Sequence, residues 1–174
     1  DYLIQYKVCT NQYSLEELKN LLDSGLYNQD EVYFFILSNI SSCYSEEKDF
    51  LPWYRKIVKD YEALDNTRKI QYSNYINLKY MYCKIYINSY DFYQYDAMSW
   101  QRMLHERNYN TYQEILKYTN DKDNLANYYL EALADSIQII SHKMPPVDIS
   151  LYIDFVNNDA ETLEYQYKNY SFGY

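Results

Sequence analysis

Along most of the chain apolar residues return at three- and four-residue steps, the spacing of one face of an α-helix. The first firm signal is Ser14-Leu-Glu-Glu17. It reads as a capping box, in which the serine hydroxyl and the Glu17 carboxylate each satisfy a backbone N–H that the helix start leaves unpaired. Leu15, Leu18, Leu21 and Leu22 follow as a buried stripe, and Gly25 stands where a C-terminal glycine belongs, which predicts a helix over 14–24. Residues 2–9 are apolar but too short to assign. Asn28 is the expected cap of a second helix carrying Val32, Phe35, Ile36, Asn39, Ile40 and Cys43. Acidic Glu46, Glu47 and Asp49 then mark a third helix start, with Pro52 in the first turns ahead of Trp53, Ile57, Val58 and Tyr61. Asp65-Asn-Thr67 reads as a break, with Thr67 as the cap of the longest stretch.

That stretch, Gln71 to Trp100, contains neither Gly nor Pro. Ile76, Tyr80, Cys83, Ile87 and Tyr90 form one helical stripe, and Tyr75, Leu78, Tyr82, Ile85 and Tyr93 form a second beside it. Met81, Cys83, Ile85 and Ile87 also alternate as a strand would. The length of the run decides for helix, since strands seldom exceed about ten residues. Asn88, Ser89 and Asp91 lower helix propensity, so a bend or new start is expected near Tyr90. The stripe resumes with Ala97, Trp100, Met103 and Leu104, and Arg107-Asn-Tyr-Asn110 reads as its end. Tyr112, Ile115, Leu116 and Tyr118 predict another helix, and residues 119–124 a polar link. Leu125, Tyr128, Tyr129, Ala132, Leu133, Ile137 and Ile140 give the cleanest periodicity, ended by Pro145-Pro146. Two short helices, around Ile153 and Leu163, are expected to close the chain.

Nine or ten helices with short links predict an all-α fold, one domain over 1–174, arranged as an irregular multi-helix bundle or as stacked helical hairpins. Asn77 to Tyr82, leading to Tyr90 and Ala97, resembles a tetratricopeptide helix. Lys79, Asp91 and large rings occupy that repeat's small-residue positions, and no second copy follows, so the chain is tetratricopeptide-like in a degenerate sense at most.

Composition sharpens this picture. Two glycines and three prolines in 174 residues are too few for an all-β chain that turns every ten residues or so. The 26 tyrosines make the core amphipathic, because a buried ring brings a hydroxyl that needs a partner. Tyrosine is also favoured at protein interfaces, although an AT-rich coding sequence enriches the same residues. With 25 acidic and 16 basic side chains the formal charge is -9, which argues against nucleic-acid backbones and anionic lipid. Arg55, Lys56 and Lys59, and Arg68 with Lys69, read as solvated helix edges. No apolar run of about 18 residues could span a bilayer. The chain opens on Asp1, which is compatible with a piece of a longer or processed protein.

The chemical motifs of enzymes are missing. Cys9, Cys43 and Cys83 are far apart with no CxxC pair, so they read as buried free thiols in a reducing, intracellular setting. His105 and His142 lie in no metal-ligand spacing. The chain has no GxSxG elbow and too few glycines for a phosphate-cradling loop. Asp121-Lys-Asp123 opens like a calcium loop but has Ala126 where that loop needs glycine, and reads as a cap. No cofactor and no metal are expected. Asn39-Ile-Ser41 and Asn169-Tyr-Ser171 match the glycosylation sequon. Trp53, Trp100, Arg102 and His105 are the candidate binding residues, large aromatic and mixed polar groups on helical faces. The expectation is a non-catalytic module that binds another protein or peptide through an aromatic helical surface. The alternative is a sensor domain enclosing a peptide or small ligand, which a deep apolar pocket would favour.

Overall fold

A computed structural model describes residues 2–28, 30–72, 74–92, 97–119 and 121–141, with the backbone alone for some helical positions. Eight helices lie among them: α1 (Tyr2–Cys9), α2 (Leu15–Asp23), α3 (Glu31–Ser42), α4 (Glu47–Glu62), α5 (Asn66–Gln71), α6 (Asn74–Phe92), α7 (Ala97–Leu116) and α8 (Lys122–Ser141). The described residues contain no strand, so the chain is all-α. The two helices expected after Pro146 lie outside the described residues.

Local chemistry accounts for most of the boundaries. The capping box forms: the Glu17 N–H donates to Ser14 Oγ at 3.2 Å, and the Ser14 N–H donates to Glu17 Oε2 at 2.7 Å. Those bonds hold the Glu17 carboxyl below its ordinary pKa. Gly25 follows the C-cap of α2 at φ +67°, a conformation open to glycine at little cost. The unassigned segment 2–9 is α1, closed by a Schellman arrangement. There the Gln12 N–H reaches the Lys7 carbonyl and the Asn11 N–H the Val8 carbonyl, with Asn11 at φ 54°.

Several boundaries differ from the sequence expectation. Asp30, not Asn28, caps α3, because one of its oxygens receives both the Val32 and Tyr33 N–H groups, at 2.9 and 3.3 Å. Asp65, not Thr67, caps the helix after the break, and that helix is the short α5. Within the long run 71–100, Asn74–Phe92 forms α6 and Ala97 opens α7. The end expected at Arg107–Asn110 is the middle of α7. Asn108 is fully buried there and lies one helical turn from Thr111 and Tyr112, on the stripe that leads to Ile115.

The chain forms two compact units, residues 1–83 and 84–174. In the first, α3 is the centre, packed by α1, α2 and α4. Residues Val32 through Ser38, with Ile40 and Ser41, are all buried. A helix apolar on every side is a core helix, and α3 organises this unit. Phe35 stacks on Tyr75 of α6 at 5.0 Å, and Ser38 Oγ shares a 2.9 Å hydrogen bond with the Tyr75 hydroxyl. In the second unit α7 packs on α8 through Tyr112 and Tyr129, whose ring centroids are 4.8 Å apart. Asn88 Nδ2 donates to Asn108 Oδ1 at 2.9 Å, tying α6 to α7 in register. Tyr128, read as part of the α8 stripe, is exposed.

Candidate functional site

Three features of the first unit carry chemistry. The first is a half-exposed aromatic strip on α4 and the first half of α6. Phe50, Trp53 and Tyr54 share one face of α4 at i, i+3 and i+4. The Phe50 and Tyr54 rings lie 5.0 Å apart, and Tyr54 meets Tyr82 of α6 edge-on at 6.1 Å. Lys79 places its ammonium 5.2 Å from the Tyr54 centroid and 5.8 Å from that of Tyr82. Burial raises the Tyr54 phenol pKa well above its ordinary value, with Cys83 and Tyr82 adding to the effect. Trp53 is half-buried and enters no ring pairing among the described residues, so its indole is presented beside an ordered aromatic group.

The second feature is a buried polar and aromatic cluster. Tyr61 is fully buried and stacks on Tyr80 at 4.1 Å. Its hydroxyl donates to Asn77 Oδ1, and the Tyr80 hydroxyl donates to Glu62 Oε1 at 3.0 Å. Lys69, read from sequence as a solvated helix edge, is buried with its ammonium 5.4 Å from the Tyr61 centroid. The ring face compensates the charge that α5 brings inward. Asn77 Nδ2 is buried without a hydrogen-bond partner among the described residues.

The third feature is a half-open cleft of about 300 Å³ where the start of α3, the end of α4 and the start of α5 converge. Tyr33, Phe34, Ala63 and Leu64 supply its apolar walls. Asn28, Asp60, Asp65 and Arg68 supply the polar ones. The Tyr33 hydroxyl donates to Asp60 Oδ2, and Lys56 Nζ donates to the same oxygen at 3.0 Å. Burial and the neighbouring Asp60 carboxylate push the Tyr33 phenol up. Burial also pulls the Lys56 ammonium down, but its hydrogen bonds to Tyr33 and Asp60 outweigh that and leave it raised.

Of the predicted binding residues, Trp53 lies on the strip. Trp100, Arg102 and His105 belong to α7, but their side chains lie outside the described residues. Sequence reasoning missed Phe50, Tyr54, Lys79 and Tyr82 as one group, because the α4–α6 pairing that joins them is long-range. The i, i+3, i+4 spacing of Phe50, Trp53 and Tyr54 was the local signal available. Asp121 acts as a cap, its Oδ1 receiving the Asn124 N–H at 3.3 Å. Asn39 lies inside α3 with Nδ2 donating to the Phe35 carbonyl at 2.9 Å, and the sequon's Ser41 is buried, a geometry unsuited to glycosylation. Among the described residues no group of three His, Cys, Asp or Glu side chains could hold a metal, and no helix is long and apolar enough to cross a membrane.

The thiols are not alike. Cys43 is exposed, contrary to the sequence expectation, because it sits at the C-cap of α3 beyond the packed face. Cys83 is fully buried, and burial pushes its thiol pKa up to about 12. Brief treatment of the native protein with N-ethylmaleimide is expected to label Cys43 and leave Cys83 unmodified until denaturant is added, as read by peptide mass mapping. Equal labelling of both in native buffer would contradict this burial.

No protein-family model, no curated protein and no solved structure matches this chain.

Proposed function

We propose that the chain is a non-catalytic helical module that binds another protein or a peptide, and that the strip of Phe50, Trp53, Tyr54 and Tyr82 is the contact surface. The observation that carries this reading is the order within the strip. Tyr54 and Tyr82 are held edge to face with the Lys79 ammonium over both rings, so these large side chains forfeit little further rotamer freedom on binding. Trp and Tyr dominate the energetics of protein contacts because each offers wide apolar area with a polar tip. Trp53 is the largest such group here that remains half-exposed.

The test is photocrosslinking in the native source. A photoreactive p-benzoylphenylalanine at position 53 is expected to yield a discrete adduct, and the same group at exposed Lys122 on α8 is not. Adducts of equal yield and pattern at both positions, or none at position 53 in a folded protein, would defeat the proposal.

A further inference from the structure

The aromatic strip has a charge character opposite to that of the chain. The chain as a whole carries -9, with 25 acidic side chains against 16 basic. The two stretches of the first unit that build the strip, 50–59 of α4 and 74–83 of α6, carry Arg55, Lys56, Lys59 and Lys79 and no acidic residue. Asp49 and Asp60 stand just outside them, and Asp60 is engaged by Lys56 at 3.0 Å. Arg55 and Lys59 are exposed on α4 and add to the local positive field. Lys79 is the cation at the centre of the strip, half-buried, with its ammonium 5.2 Å from the Tyr54 centroid and 5.8 Å from that of Tyr82. Among the described residues it meets no carboxylate and no hydrogen-bond acceptor.

A ring face attracts a cation but bears no net charge, so the two tyrosines leave the charge of Lys79 and its N–H donors to be matched by another group. A partner that covered the strip with apolar side chains alone would bury this charge unpaired, a cost that a carboxylate placed beside it removes. We infer that the strip, taken as the contact surface proposed above, binds an acidic peptide segment of the partner, in which an Asp or Glu carboxylate beside the apolar contact residues pairs with Lys79. A polyphosphate fits less well, because the net charge of -9 repels a long anion whereas a peptide needs only one carboxylate here.

Calorimetric titration of the full chain with three amphipathic peptides of about 14 residues, roughly four helical turns, tests this. All three share one stripe of leucines at helical spacing, and the residues flanking the stripe are glutamate in the first, glutamine in the second and lysine in the third. The glutamate peptide is expected to bind at least about tenfold more tightly than either of the others, and to weaken as salt is added. Lys79→Gln is expected to reduce its affinity by a similar factor without changing that of the glutamine peptide. Lys79→Arg, which keeps a cation over the rings, is expected to retain it. Trp53→Ala is expected to weaken the glutamate and glutamine peptides by the same factor. Equal binding of the three peptides, each weakened by Trp53→Ala, would overturn the acidic segment and leave the strip standing. Binding that Trp53→Ala leaves unaltered would defeat the strip and this inference with it. No binding of the glutamate peptide to the folded protein would overturn the inference, even where an adduct at position 53 upholds the strip. So would a deoxythymidine oligonucleotide of like length that binds as tightly as the glutamate peptide.

Discussion

Tyr61→Ala is expected to cost the first unit more than any other single change in its core. The ring is fully buried, stacked on Tyr80 and covered by the Lys69 ammonium, and removing such a ring typically costs about 3–5 kcal/mol. The loss does not stop there, because Asn77 Oδ1 loses the hydroxyl that donates to it, a further ~1–3 kcal/mol for a buried acceptor left unpaired. Lys69 also loses the ring face that offsets its burial. Tyr61→Phe isolates the hydroxyl and is expected to cost only the ~1–3 kcal/mol of the orphaned Asn77. Urea unfolding followed by Trp53 fluorescence, in a Trp100→Phe background so that one indole reports on this unit, measures both. A Tyr61→Ala loss below about 2 kcal/mol would mean that the stacked cluster is not the core described here.

The second large effect is alkaline instability. Burial raises the pKa of Tyr33, Tyr54 and Tyr72, and it pushes the Cys83 thiol from an ordinary 9.0 to about 12. A group whose folded pKa lies above its unfolded value contributes its full stability below the unfolded value and loses it as pH rises toward the folded one. For Cys83 that window runs from 9.0 to about 12, an order of ~4 kcal/mol at about 1.36 kcal/mol per pH unit. For the tyrosines it opens at 10.0. The helical signal is therefore expected to hold through neutral pH and to collapse above roughly pH 10, with the phenolate absorbance of the buried tyrosines appearing together with the collapse. Cys83→Ala is expected to lower stability at neutral pH through its small cavity while weakening the pH dependence between 9 and 12. Smooth titration of every tyrosine near its ordinary value with the helices intact would contradict the burial of these rings.

Much of this architecture was legible because it is local. The Ser14–Glu17 box and the Gly25 terminus need only neighbouring residues, and the structure forms both. Of the first stripe Ile76, Tyr80, Cys83 and Ile87 are buried and Tyr90 is half-buried, whereas of the second Tyr75, Leu78 and Tyr82 stay half-exposed or exposed but Ile85 is fully buried. Periodicity finds apolar faces but does not say which of two a neighbour will cover. Asn108 shows a different limit. Asparagine signals a break wherever its amide competes with the backbone, but here its amide oxygen accepts from Asn88 of another helix. Lys69 misled for the same reason, since only the fold places Tyr61 beneath its ammonium. Of the strip only Trp53 was singled out, by residue type; the spacing of Phe50 and Tyr54 beside it went unread, and Lys79 and Tyr82 join them only through the pairing of α4 with α6.

Hydrogen–deuterium exchange across the whole chain, with and without the protein captured at position 53, tests the central claim most directly. Binding is expected to slow exchange in peptides covering residues 50–54 of α4 and 79–82 of α6, and to leave α1 and α2 unchanged. Protection confined to other helices, with α4 and α6 exchanging as in the free protein, would contradict an aromatic strip that grips a partner.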